Sequence, residues 1–182
     1  MKIRLIASTL AATCLCTTLA AVAADDKPSP PPAAQAATST VSSITQAAVR
    51  AGALACTSRI NQVATFLTAG VKGVGAMLFM PTNNPDQQLI SVSMEIPSTD
   101  ALSVYASASF APNQANGCGG MYETVVYWPQ KCSEVAGNNF GALKKIDGFS
   151  KNFMVLDAGV TTKIFLLPAG SGCISIKKEV IQ

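Results

Sequence analysis

The stretch NGCGGMYETVVYWPQKC, residues 116–132, carries a cysteine near each end and an alternating run between them. The alternation from residue 121 to residue 128 is typical of a β-strand. Eight residues of strand span about 26 Å, whereas a disulfide requires Cα atoms within about 7 Å of each other. We therefore predict that Cys118 and Cys132 lie at opposite ends of a strand and do not bond to each other.

The first residues of the chain have the pattern of a secretory signal peptide. Lys2 and Arg4 precede an uncharged run, Leu5–Ala24, which ends in small residues suited to cleavage after Ala23 or Ala24. Residues 1–24 are therefore predicted to be a cleaved signal peptide. The mature chain is expected in the periplasm or outside the cell, without stable membrane insertion.

The cysteines that remain after cleavage predict two disulfides. Four of the six cysteines lie beyond the signal, and an even number in an exported chain indicates a disulfide framework. Cys118 and Cys132 should each pair with Cys56 or Cys173. We favour Cys56–Cys132, which joins the predicted long helix to the start of a short helix, and Cys118–Cys173, which joins two strand starts.

Composition divides the rest of the chain into a linker and one domain. Residues 25–40, DDKPSPPPAAQAATST, are rich in Pro and Ala and are predicted to be a disordered linker. Residues 41–182 are long enough for a single domain with its own core. Loss of Lys2 and Arg4 leaves 11 basic against 10 acidic residues, and no basic stripe indicates nucleic-acid binding.

The predicted fold class is α+β. Apolar residues at three- and four-residue spacing predict one long helix over 41–69, with Gly52 weakening its middle and Gly70 ending it. A short helix is predicted after Pro129, and about six or seven strands fill the remaining chain. Because the helices are too few to cross over between strands, we expect both to pack on a mostly antiparallel, disulfide-bonded sheet. No internal repeat is evident.

Alternation within two strands predicts which side chains face the helices. Ile90, Val92, Met94 and Ile96 should share a covered face, with Ser91, Ser93 and Glu95 facing water. In the last strand, Ile174 and Ile176 should be the buried set. Ser175 and Lys177 would then lie on the wet face, where nothing activates the lysine as a catalytic base.

The absence of histidine restricts the chemistry that the chain can perform. Catalysis by Ser-His-Asp or Cys-His groups is excluded, as are histidine-ligated metal sites. A hydrolase would have to use carboxylates, with Glu95 and Glu123 as the candidates that could share a sheet face. We assign no catalytic residue, no metal and no cofactor, because the cysteines lack the close pairs of zinc sites and a Cu(I) site would need three scattered methionines to converge.

Aromatic residues at the end of the opening stretch give the best indication of binding. Tyr122, Tyr127 and Trp128 could stack on a sugar or anchor a partner, although core packing also explains them. We expect an exported, non-enzymatic protein that binds another protein, as an envelope assembly factor or an inhibitor or immunity-type partner. The alternatives are a glycan or small-molecule binding module that uses this cluster and, less favoured, a carboxylate-dependent hydrolase.

Overall fold

A computed structural model of the chain describes residues 41–98 and 103–181, all of which fall in one compact unit. The predicted signal peptide and linker lie outside these residues. The described residues form three α-helices, α1 (Ser43–Arg50), α2 (Thr57–Thr68) and α3 (Cys132–Phe140), and a short 3-10 helix, Pro85–Gln87. The strands are β1 (Gly75–Phe79), β2 (Ile90–Ile96), β3 (Val104–Asn113), β4 (Gly117–Trp128), β5 (Lys144–Ile146), β6 (Met154–Asp157), β7 (Thr162–Ala169) and β8 (Gly172–Ile181).

The strands form one fully antiparallel sheet, which confirms the α+β class. Its spatial order is β1-β2-β3-β4-β8-β7-β6-β5. The sheet has eight strands rather than six or seven, because β5 forms where the exit of the short helix was expected. With only three residues, β5 is too short to show a period-two pattern in the sequence.

The single long helix predicted over 41–69 is wrong, because the chain breaks it into α1 and α2. Gly52 has φ 92°, a left-handed conformation that favours glycine. Its N–H donates to the Val49 carbonyl at 2.9 Å, and the Ala53 N–H donates to the Ala48 carbonyl at 3.0 Å. This pair of bonds is the Schellman ending of α1. The Asp86 carboxylate then accepts the N–H of Leu54, at 2.6 Å, and of Ala55.

The chain contains an internal structural repeat that the sequence did not reveal. Each half begins with helical structure and continues as a four-strand meander, and the last strands of the two meanders, β4 and β8, pair antiparallel at the centre of the sheet. Glu123 lies five residues after Cys118 and pairs with Lys178, which lies five residues after Cys173. The two halves are therefore related by a local pseudo-twofold axis through the Glu123–Lys178 pair.

All three helices pack on one side of the sheet. The larger core cluster joins α1 and α2 to the buried residues of β2 and β3, and a smaller cluster joins α3 to Leu156, Ile164 and Leu166. The predicted covered set of β2 is confirmed: Ile90, Val92, Met94 and Ile96 are all buried. No described helix covers the opposite side, which we call the open face.

The prediction for β8 is wrong, because its two faces are reversed. Ser175 and Lys177 point to the helix side, since they pair with Val126 and Thr124 on the same side of β4 as the buried Cys118 and Tyr122. Ser175 is only 5% exposed. Ile174 and Ile176 lie on the open face and are half-buried. The apolar residues of β8 therefore lie on the uncovered side of the sheet. Its polar residues can lie on the helix side because polar side chains there hydrogen-bond with one another.

Candidate functional site

Two disulfides fasten the helices to the sheet. Cys56 bonds Cys118, with Cα atoms 5.1 Å apart, and Cys132 bonds Cys173, with Cα atoms 5.0 Å apart. The prediction that Cys118 and Cys132 do not bond to each other is confirmed, but the favoured pairing is wrong. Because β4 and β8 run antiparallel, their starts lie at opposite ends of the pair, and Cys173 stands opposite Trp128. Two such bonds indicate an oxidising compartment.

The three aromatic residues proposed as a ligand-binding cluster are not brought together. Tyr122 is buried on the helix side, 4% exposed, and its ring lies 5.7 Å from that of Phe66 in α2. Trp128 also points to the helix side, where its Nε1–H donates to the Ser175 hydroxyl at 2.8 Å. Tyr127 points to the open face and is 36% exposed. The three rings therefore form no common stacking surface.

A group of three polar side chains, which we call the polar seam, fills the centre of the helix side. Lys177 Nζ donates to the Tyr122 hydroxyl at 2.8 Å, and this hydroxyl donates to Glu179 Oε2 at 2.6 Å. Lys177 Nζ also lies 2.8 Å from Glu179 Oε2, which closes the triangle. A cavity of about 220 Å³ beside the seam is lined in part by Phe66 and Gln62.

The charges of the polar seam are mutually satisfied. Hydrogen bonds from Lys177 and Tyr122 hold the pKa of Glu179 below its ordinary value. Burial favours the neutral form of Lys177, but hydrogen bonds to Glu179 and Tyr122 outweigh that effect and raise its pKa. Burial and the bond to Glu179 raise the pKa of Tyr122. Lys177 is thus stabilised as a cation, which is the opposite of what a lysine base requires.

The open face carries a broad set of apolar side chains. Its exposed members on the strands are Met77, Phe79, Tyr105, Met121 and Tyr127 in the half formed by β1 to β4, and Val180 on β8. In the other half, Phe149, Phe153 and Phe165 pack against one another with ring centroids 5.9–6.2 Å apart. Phe149 is 62% exposed. Large exposed apolar side chains gathered on one face often mark an interaction surface.

The centre of the open face is polar. Lys178 Nζ lies 3.2 Å from Glu123 Oε2, and the Ser107 hydroxyl donates to Glu123 Oε1 at 3.1 Å. A depression of about 240 Å³ next to this ion pair is lined by Phe153, Phe165, Leu167 and Ile176. The open face therefore combines apolar surface on both halves with one ion pair on the pseudo-twofold axis.

The carboxylates named as hydrolase candidates share the open face but do not form a pair. Glu95 lies on β2 and Glu123 on β4, so β3 separates them by about 10 Å across the sheet, with a further offset along it. Glu123 is engaged by Lys178 and Ser107. Within residues 41–98 and 103–181, no group of three Cys, Asp or Glu side chains is arranged to hold a metal ion.

Comparison of the chain with protein-family models, with curated proteins and with solved structures gave no match. None of the helices in the described part of the chain has the length and apolar character needed to cross a membrane. The sequence reasoning missed both the polar seam and the open face. The residues of both features occur at every second position of β4 and β8, which is the sequence signal that could have revealed them. Which of these residues share a side of the sheet is known only from the register, which pairs Tyr122 with Glu179.

Proposed function

We propose that this chain is an exported, non-enzymatic protein that binds another protein through its open face, as an envelope assembly factor or as an inhibitor or immunity-type partner. The observation that carries the proposal is the apolar surface of the open face, with Met77 and Phe79 at one end, Tyr105 and Tyr127 near the middle and Phe149 in the other half. Aromatic residues and methionine are enriched at the centres of protein interfaces.

The pattern of burial supports this proposal over a simple exposed sheet face. An antiparallel sheet covered on one side normally presents polar side chains on the other. Here β2 follows that rule with Ser91, Ser93 and Glu95, whereas β4 and β8 place valine, isoleucine and tyrosine on the same side. The open face therefore carries apolar side chains on β4, on β8 and on the edge strand β1, with the polar residues of β2 and the Glu123–Lys178 pair between them. Protein interfaces likewise mix apolar and polar surface.

The rigidity of the scaffold supports binding by a preformed surface. Both disulfides tie a helix to a central strand, and the named residues of the open face lie on strands, apart from Phe149 and Phe153. A surface that is already ordered loses little conformational entropy on binding. Two disulfides also suit a protein that acts in an oxidising compartment outside the cytoplasm.

The proposal is tested by capture with matched charge variants. The mature chain, from Asp25 with a C-terminal tag, is compared with Tyr105→Glu on the open face and Val160→Glu in the β6–β7 turn, where Val160 is 98% exposed. A protein retained stoichiometrically by wild type and Val160→Glu, and bound about 30-fold more weakly by Tyr105→Glu, supports the open face. Equal retention by both variants, or no retained protein, contradicts it.

A glycan or small molecule is the second candidate ligand, and one observation favours it. Tyr105 and Tyr127 are both exposed on the open face and are diagonal neighbours on β3 and β4, about 7–8 Å apart. Two such rings can stack on successive sugar units. Binding of a glycan by wild type and by Val160→Glu, with loss in Tyr105→Glu, would favour this function over protein binding.

A further inference from the structure

The two edges of the sheet are protected to different degrees. At one edge, β5 has three residues and carries Lys144 and Lys145, both of which are exposed. Short, lysine-bearing edge strands resist pairing with another chain. At the other edge, β1 has the sequence GAMLF, with no charge and no proline. It pairs with β2 along one side, and no strand in the described part of the chain lies along its other side.

A cleft runs beside this unprotected edge, between α1 and the helix side of β1. We call it the edge cleft and define it by Ile44, Ala47, Val74, Ala76 and Leu78. It contains two adjoining depressions of about 310 and 250 Å³, which share Ser43, Ile44, Val74 and Ala76. Ala76 and Leu78 are the two residues of β1 that point to the helix side.

The state of Ala76 shows that the edge cleft is unfilled. On the neighbouring strand, the residue paired with Ala76 is Met94, which is 2% exposed. Ala76 itself is exposed, although it faces the same side of the sheet. A side chain placed one strand further out would cover Ala76 and enter the space below α1, because neighbouring strands are about 4.8 Å apart.

From this juxtaposition we propose that β1 receives an extended segment of a partner protein as a ninth strand, with alternate apolar side chains of that segment entering the edge cleft. The inference rests on the proposed function and adds the mode of recognition. The outer edge of β1 offers backbone hydrogen-bonding groups at strand spacing, and the cleft offers room on one side only. An extended chain with period-two side chains satisfies both, as in other cases of strand addition.

The chemistry of β1 defines the segment that fits. Five residues of β1 accommodate about five residues of partner, of which two or three point into the edge cleft. The lining of the cleft is uncharged, with Ser43 and Thr68 beside the apolar residues Ile44, Val74 and Leu78. It therefore favours uncharged side chains at these positions, aliphatic ones next to Ile44 and Leu78. The intervening side chains lie on the open-face side next to Met77 and Phe79, where no described helix confines them, so these positions need not be apolar.

A second copy of this chain fits the site less well than a free segment does. The β1 strand of another copy would direct its own Ala76 and Leu78 toward the helix side. Leu78 already packs against the main core of its own copy, and alanine is too small to fill either depression. The side chains of a separate extended segment are not packed in a core of their own, so they can enter the cleft.

The probe for this proposal is a displayed library of random linear nine-residue peptides, selected on the oxidised mature chain. We expect selected peptides to show apolar residues at alternate positions. Their binding should weaken at least tenfold in Ala76→Phe, which fills the cleft, and should persist in Val160→Phe, which adds the same ring in the exposed turn. A library without binders, or binders that do not alternate or that ignore Ala76→Phe, would overturn the proposal.

Backbone methylation distinguishes strand addition from other binding. Two versions of a selected peptide are compared, one with N-methyl groups at the odd-numbered amides and one with them at the even-numbered amides. One version should bind about tenfold more weakly and the other should bind unchanged, because only one of these two sets of amides pairs with β1. Equal weakening by both methylation patterns would overturn strand addition. So would a dimer of the mature chain that Ala76→Phe dissociates, since the occupant would then be a second copy.

The same variants separate failure of this inference from failure of the proposed function. A partner that is lost in Tyr105→Glu but fully retained by Ala76→Phe would overturn the edge cleft and leave the open face as the binding site. A partner retained by both would contradict the proposed function itself. Thermal unfolding of each variant verifies that its fold is intact before binding is compared.

Discussion

Removing either disulfide should lower the free energy of unfolding by about 4 kcal/mol at 25 °C. The Cys132–Cys173 bond closes a segment with a sequence separation of 41, and the Cys56–Cys118 bond one of 62. In the chain-entropy account, the stabilisation depends on the logarithm of this length, which gives about 3.9 and 4.3 kcal/mol respectively. Alanine is the appropriate replacement, because Cys56, Cys118 and Cys173 are buried and serine would add a buried hydroxyl at each of these positions.

Urea unfolding of the double variants Cys132→Ala/Cys173→Ala and Cys56→Ala/Cys118→Ala measures this loss. Each variant should retain one disulfide and show no free thiol. The mismatched variant Cys56→Ala/Cys132→Ala is the control: it leaves Cys118 and Cys173 at opposite ends of two paired strands, so two free thiols are expected. A matched variant that unfolds within 1 kcal/mol of wild type, or a mismatched monomer without free thiols, would refute the reasoning.

Three further changes test the core, the helix break and the polar seam. Leu166→Ala, at a site with no exposed surface, should lower the free energy of unfolding by about 3 kcal/mol, while Val160→Ala should change it by less than about 0.5 kcal/mol. Gly52→Ala should cost about 1–2 kcal/mol in the same urea titration, because φ is 92° there and an added Cβ would lie 3.2 Å from Pro85 Cγ. Glu179→Gln should be less stable than wild type at pH 7, because a carboxyl group whose pKa is lowered by folding stabilises the fold at pH values above its pKa in the unfolded chain. The difference in the free energy of unfolding between variant and wild type should shrink as the pH falls below about 4. A difference that grows in acid would contradict the polar seam.

Local patterns predicted the parts of the fold that depend on neighbouring residues. The alternation of β2 identified its buried face, and Gly70 marked the end of the helical region, where α2 ends at Thr68 with Ala69 as its C-cap. The strand from Met121 to Trp128 likewise lies inside β4. In each case the signal is the burial of one face or the geometry of one chain end, which the local sequence determines.

Long-range features could not be predicted in the same way. Which side of β8 is buried depends on the residues opposite it, and Ser175 is buried because Trp128 donates a hydrogen bond to it. The disulfide partners depend on the direction of β4 relative to β8. The internal repeat is visible only as equivalent positions in the sheet, because the two halves differ in helix content and in the length of their strands.

The position of β1 at the edge of the sheet could not be predicted from the sequence either. The sequence GAMLF is consistent with any short apolar strand, and nothing within it indicates an edge position. Only the order of strands places β1 at the end of the sheet, and only the break at Gly52 places a short α1 beside it. The edge cleft is thus a product of tertiary arrangement rather than of a motif.

The central claim, that the open face binds a partner protein, is tested most directly by photo-crosslinking. A photoreactive phenylalanine analogue replaces Tyr127 on the open face or Val160 in the exposed turn of the mature chain, and the protein is irradiated in its native host. We predict one discrete protein adduct from position 127 that is absent from position 160. Adducts of equal yield from both positions, or none from position 127, would contradict the claim.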